Sequence, residues 1–206
     1  MRLWSVQTED VYDEVMKNGF CIVDMKKSEC LYDDNGNLDK SFKRSYDWLV
    51  DKLISRIGKP DNNKVEYPWW AYYKLDGIRD LTLEELKCTA TPGKEYILLE
   101  LDVPDEDVVL SDLDNWHFVL NNWWLDDSLS EDEWDKNQEW LESLEYSERE
   151  RVKLESWDKI FDTTPFENEW RVNGKSVQAN FWVLKKEYIK GHQKFIGESM
   201  FDEEET

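Results

Sequence analysis

The chain has 206 residues, 47 acidic and 26 basic for a formal charge of −21, and carries 12 Trp, 9 Tyr and 8 Phe. A domain of this length buries roughly 70% of its unfolded surface, and each buried aromatic removes about 150–250 Å² from water, so a packed core is expected and disorder is not. The acidic field repels phosphate backbones, which argues against nucleic acid and toward a basic protein surface as a macromolecular partner.

No stretch approaches the roughly 18–20 apolar residues of a membrane helix, and the N-terminus turns polar at Thr8-Glu9-Asp10 before a signal-peptide core can form. Cys21, Cys30 and Cys88 form no C-x-x-C pair. That argues against a disulfide framework and a zinc site and fits a reducing compartment, so the cytoplasm is the expected location, without membrane contact.

In chain order, Arg2 to Gln7 reads as a first strand. Thr8 is placed to cap a helix whose first turn carries Glu9 and Asp10, with Val11 and Val15 on one face and Gly19 as the stop. Phe20 to Val23 is short and apolar enough for a strand. The turn Asp33-Asp34-Asn35-Gly36-Asn37 superficially resembles a calcium loop, but Leu31 and Phe42 fall where carboxylate ligands are needed, so no metal is assigned.

Phe42, Tyr46, Leu49, Leu53 and Ile57 recur at helical spacing until Gly58 and Pro60. The segment VEYPWWAYYK predicts a strand from Pro68 onward, with Trp69 and Trp70 facing opposite ways. Thr82 to Glu85 has capping-box spacing. Tyr96 to Leu101 is a compact apolar strand, followed by the short run Val108-Val109-Leu110. Ser111 or Asp112 then caps a helix through Trp116, Val119 and Leu120.

Ser130-Glu131-Asp132-Glu133 opens another helix, expected on the surface, within a very acidic segment. Trp157, Ile160 and Phe161 make a small apolar cluster, and Val177 to Leu184 reads as the last strand, with Gln178, Asn180 and Trp182 opposite Ala179, Phe181 and Val183. No repeat or composition break marks a boundary. The expectation is one α+β domain over 1–197, with an acidic helical insertion at about 122–156 and a disordered acidic tail at 198–206. Its sheet should be mixed, mostly antiparallel and split, flanked by helices.

The sequence holds no G-x-S-x-G, no Walker-type loop and no G-x-G-x-x-G. His117 beside Trp116 is a candidate general base, against the plainer reading of a surface helix histidine. Glu100 and Asp102 alternate onto one strand face as a possible carboxylate pair. The doublets Trp69-Trp70 and Trp123-Trp124 suit stacking on a sugar, a nicotinamide or a base, though such residues more often serve as core on one side and packing under a loop on the other.

The patterns LWSVQ, YPWWAYY, ILLELDVPDEDVVLSDLDNWHFVLN, SWDKIFD and VQANFWVL, in that order, resemble a bacterial family, domain-of-unknown-function family 3841, across nearly the whole chain. More distantly, LWSVQTEDVYDEVMKNG and VQANFWVL resemble the opening strand and helix and the late strand of the ADP-ribosyltransferase-like fold. That likeness implies a split sheet around a nicotinamide pocket and NAD as a candidate ligand. It puts Ser5 where such enzymes commonly hold the cofactor with His or Arg, and Asn180 where they place a catalytic Glu. An amide can bond a ribose hydroxyl but supplies no charge to an oxocarbenium-like centre.

Two functional expectations result. The first is a cleft binding a small polar, nucleotide-like ligand, lined by Ser5, Gln7, Trp70, Tyr72, Gln178 and Asn180, with Trp116 and His117 as further candidates. The second is a non-enzymatic acidic interaction protein, an inhibitor or decoy, docking a basic partner surface with steep salt dependence.

Overall fold

A computed structural model describes residues 1–27, 39–60 and 62–199. The Asp33–Asn37 turn, Cys30 and the acidic tail beyond Ser199 lie outside the described residues. The first strand, β1 (Arg2–Gln7), runs into helix α1 (Glu9–Asn18), which follows Thr8 in extended conformation. Gly19 ends the helix at φ 84°, its N–H donating to the Val15 carbonyl at 2.9 Å. A left-handed residue costs least as glycine, because no Cβ meets the preceding turn.

A short strand, β2 (Phe20–Cys21), and helix α2 (Lys40–Ile57) follow. The Asp39 carboxylate caps α2 by accepting from the Ser41 and Phe42 N–H groups at 2.8 and 3.2 Å. Strand β3 (Trp69–Lys74), the single-turn helix α3 (Leu83–Leu86), β4 (Glu95–Asp102) and β5 (Val109–Asp112) lead to helix α4 (Leu113–Leu120). Of the two expected caps it is Asp112 that serves α4, accepting from the Asn115 N–H at 2.7 Å.

The acidic segment holds two helices where the sequence suggests one, α5 (Glu131–Ser143) and α6 (Tyr146–Ser156). Helix α6 carries little apolar periodicity, and its buried positions are Lys153 and Ser156, so the hydrophobic pattern misses it. The hairpin β6 (Phe166–Glu167) and β7 (Val172–Asn173) precedes β8 (Val177–Phe181) and β9 (Leu184–Lys185).

Strand β8 is not the last. Ile189–Ile196 forms β10, an edge strand whose polar residues and Gly191 disguise it in the sequence. Trp182 lies beyond the end of β8 and donates its indole N–H to the Gly58 carbonyl at 2.9 Å.

The main sheet has the order β10-β4-β1-β3-β8-β5, and every pairing in it is antiparallel. The α+β class with a mostly antiparallel sheet is therefore what forms. Two three-stranded halves meet at the β1–β3 junction, where Trp4 opposite Tyr72 is the registered pair; β1 and β4, by contrast, register from Arg2↔Asp102 through Gln7↔Ile97.

One face of the sheet packs Leu3, Ala71, Leu99, Leu101, Ala179 and Phe181 against Val15 of α1 and against Cys21 and Leu184 of β2 and β9. The other face carries two cores. Trp4, Tyr72 and Leu98 pack with Leu81 and Leu86 near α3, while Val109 packs with Leu49, Leu53, Trp116, Val119, Trp157 and Ile160. Trp157 is fully buried, so the expected small cluster before Pro165 is a central part of this core.

Candidate ligand cleft at the β1–β3 junction

Pairing Trp4 with Tyr72 fixes which side chains share a face, because alternate residues of a strand point opposite ways. Trp70, Tyr72, Gln178 and Asn180 fall on the face of Trp4. Ser5 and Gln7 fall on the other face, with Leu3 and Ala71. The structure therefore brings the predicted site residues onto neighbouring strands but divides them between the two sides of the sheet.

On the Trp4 side the polar groups are enclosed. Gln178 and Asn180 are buried, and each donates its side-chain N–H to the Ser111 hydroxyl at 3.1 Å, a buried network built on the β5–β8 register. Tyr72 is buried too. Burial pushes its phenol pKa up, against the opposing hydrogen bond with Thr89. Trp70 remains 40% exposed and meets Tyr72 edge-on at 5.1 Å.

Trp116 and His117, adjacent in α4, separate. Trp116 is buried against Tyr46, whereas His117 is exposed, and its Nδ1 lies 2.9 Å from the Leu113 carbonyl. Glu100 accepts from Arg2 Nε at 2.7 Å, and Asp102 pairs with the N-terminal ammonium at 3.3 Å, so this carboxylate pair is engaged in ion pairs.

The other side of the junction is open. A continued β1–β3 ladder would put Gln7 opposite Trp69; both instead line a cleft of about 950 Å³ between the end of β1, the start of α1, the segment after β2 and the approach to β3. Gln7, which lines the cleft, donates to the Ser5 hydroxyl at 2.8 Å, and the buried Ser5 donates to the Trp70 carbonyl at 3.3 Å, bridging the two strands. Trp69 is held by its indole N–H, which donates to the Cys21 carbonyl at 3.0 Å.

The opposite wall comes from residues the sequence reading did not single out: Lys43 of α2, and Lys64, Glu66 and Tyr67 ahead of β3. Lys43 donates to Asp47 at 2.5 Å, and the Tyr67 hydroxyl donates to the same carboxylate at 2.7 Å. Burial works against the Asp47 anion, yet the hydrogen bonds from Lys43 and Tyr67 prevail and hold its pKa below the usual carboxylate range. The Lys43 pKa is raised, chiefly by its bond to Asp47. Burial, followed by the hydrogen bond to Asp47, raises that of Tyr67.

Lys26 and Lys64 also line the cleft and form no ion pair with a described residue, while Asp10, Glu14, Asp24 and Glu66 supply acceptors. A smaller hollow of about 200 Å³ lies along β4 and β10, between Glu95–Ile97 and Lys194–Ile196. Among the described residues no group of three His, Cys, Asp or Glu is placed to hold a metal ion. No helix among them is long and apolar enough to cross a membrane.

The family profile for a domain of unknown function, DUF3841, matches residues 2–190. The chain belongs to the DUF3841 family. The match takes in β1 through β9 and the first residues of β10, and so covers every residue named for the cleft. No curated protein matches this DUF3841 chain, and no solved structure does.

Proposed function

We propose that this DUF3841 chain binds a small polar ligand of nucleotide-like chemistry in the β1–β3 cleft. The observation that carries the reading is the opening of the sheet where Gln7 would face Trp69. Ligand sites favour concave surfaces with apolar walls and a few convergent polar groups. Here Trp69 and Tyr67 supply aromatic wall, Gln7 offers an amide, and Lys26, Lys43 and Lys64 supply cations suited to phosphate or carboxylate oxygens.

A ligand seated between the halves of a sheet is also what the resemblance to the ADP-ribosyltransferase-like layout implies. The reading is confined to binding. The position that resemblance gives to a catalytic acid holds Asn180, which is buried and bonded to Ser111 on the opposite side of the sheet from Gln7. NAD is the first ligand to try, followed by ADP-ribose, ATP and simple sugars.

The test is a thermal-shift screen of the purified chain against those compounds. At a hundred times its dissociation constant a ligand adds about 2.7 kcal/mol of stability, a rise of roughly 5–11 °C for a chain of this size. Gln7→Leu and Lys64→Met should each reduce the shift; Lys64→Met should leave the unliganded midpoint within about a degree because Lys64 is exposed, whereas Gln7→Leu, which gives up the bond to Ser5, should lower it by about 2–4 °C. A flat response to every ligand class would remove the reading, as would a shift that both variants preserve.

A further inference from the structure

Of the three lysines that line the β1–β3 cleft, Lys43 differs from the other two in being already engaged. Its ammonium donates to Asp47 Oδ2 at 2.5 Å, one helical turn along α2, while Lys26 and Lys64 form no ion pair with a described residue. The other oxygen of the same carboxylate, Oδ1, accepts from the Tyr67 hydroxyl at 2.7 Å. Asp47 does not line the cleft, yet both of the side chains it holds do.

Tyr67 fixes this arrangement. It is 9% exposed, and its ring meets Tyr46 of α2 edge-on at 6.3 Å, so the phenol has little freedom to turn away from the carboxylate. At neutral pH both ionic partners stay charged. Burial opposes the Asp47 anion, but the bonds from Lys43 and Tyr67 outweigh it, and the bond to Asp47 raises the Lys43 pKa. The cleft therefore meets a neutralised ammonium and a phenol whose proton is already committed.

The rest of the lining does not replace the charge that Lys43 gives up. Asp10, Glu14, Asp24 and Glu66 form no ion pair with a described residue, so four carboxylates stand against Lys26 and Lys64. Two anionic groups of a ligand can each find a lysine. A further one finds only repulsion.

We propose that Asp47 is a specificity-determining residue of the cleft: by engaging Lys43 and Tyr67 together it withholds the third ammonium from the ligand, and so selects molecules of low negative charge, such as a dinucleotide or a nucleoside diphosphate sugar, over triphosphates. The inference rests on ligand binding in the cleft and deepens it. A site discriminates by what it denies the wrong ligand as well as by what it offers the right one. Asp47 acts through Lys43 and Tyr67, as a positioning residue rather than a ligand contact.

The experiment measures binding of ADP-ribose, NAD and ATP to the full chain by isothermal titration calorimetry in metal-free buffer, where ATP carries about two more negative charges than ADP-ribose. The native chain should prefer ADP-ribose and NAD to ATP. Asp47 is exposed, and Asp47→Asn keeps an acceptor for Tyr67 while releasing the Lys43 charge. It should tighten ATP binding by about three- to five-fold, the scale of one exposed charge contact, and change ADP-ribose and NAD binding by less than about two-fold. High salt should shrink the gain. Asp47→Glu restores the charge and should return the native preference, and adding Lys43→Met to Asp47→Asn should cancel the gain.

A residue that only supports the fold would, on substitution, weaken all three compounds alike. That outcome would overturn the proposal, as would an unchanged ratio of ATP to ADP-ribose affinity or a gain that survives Lys43→Met. A native chain that binds none of the three, or binds them equally well as Lys64→Met, would overturn nucleotide-like binding in the cleft and this inference with it.

Discussion

Trp4 lies directly opposite Tyr72, and this buried pair is the point at which the two halves of the sheet register. The Ser5 hydroxyl reinforces the junction by donating to the Trp70 carbonyl while accepting from Gln7. Ser5→Ala should cost about 1 kcal/mol in urea or guanidinium unfolding, the typical net value of one hydrogen bond in a buried setting. It should also free the Gln7 amide, which lines the cleft. Stability unchanged within about 0.3 kcal/mol would mean that the hydroxyl does not hold the halves together.

Gly174 sits at φ 64°, and a Cβ there would strike the Thr163 carbonyl oxygen, with the carbonyl carbons of Thr163 and Thr164 2.9 Å away. All of these are backbone atoms and cannot swing aside. Gly93 has a similar φ of 77° but open space around its missing Cβ. Gly93→Ala should therefore cost about 1–2 kcal/mol from conformation alone, and Gly174→Ala roughly 3–4 kcal/mol or more once the clash is added. Equal losses in the two variants, read by denaturant titration, would show that the Thr163 contact is not tight.

Asp112 is buried, accepting from the Asn115 N–H at 2.7 Å and the Gly174 N–H at 2.5 Å. Burial raises its pKa, and these hydrogen bonds only partly offset the rise. With the folded pKa above the unfolded one, the stability contributed by its titration is fully present below the ordinary aspartate pKa and is lost as pH rises through the folded value. The stability of the native chain relative to Asp112→Asn should accordingly fall as pH rises out of the acid range and level off near neutrality. Asp112→Ala should cost about 2–4 kcal/mol near neutrality, and more in acid, through the lost cap and an unsatisfied Gly174 N–H. A difference between the native chain and Asp112→Asn that does not vary with pH would contradict the raised pKa.

Much of the fold is written in local signals. Arg2–Gln7, the glycine stop after Asn18, the helical repeat from Phe42 to Ile57 and the aromatic strand at Trp69 are readable because each depends on near neighbours. Strand β10 is not, since an edge strand gains its place from pairing with β4, and residues such as Lys190, His192 and Lys194 give no apolar alternation. The site was less legible still. Composition places Ser5, Gln7, Trp70 and Asn180 on strands, but only the Trp4–Tyr72 register decides which of them share a face. Lys43, Lys64 and Tyr67 reach the cleft from segments distant in sequence, and no motif surrounds them.

The most direct test of the cleft is backbone hydrogen exchange of the full chain with and without saturating NAD, or whichever compound of the screen stabilises it most. Slowed exchange concentrated at residues 7–14, 21–26 and 64–69, with the hollow along Glu95–Ile97 and Lys194–Ile196 unchanged, is the predicted result. Protection confined to β4 and β10, or to the exposed Trp70 side of the sheet, would contradict the assignment of the ligand site to the β1–β3 junction.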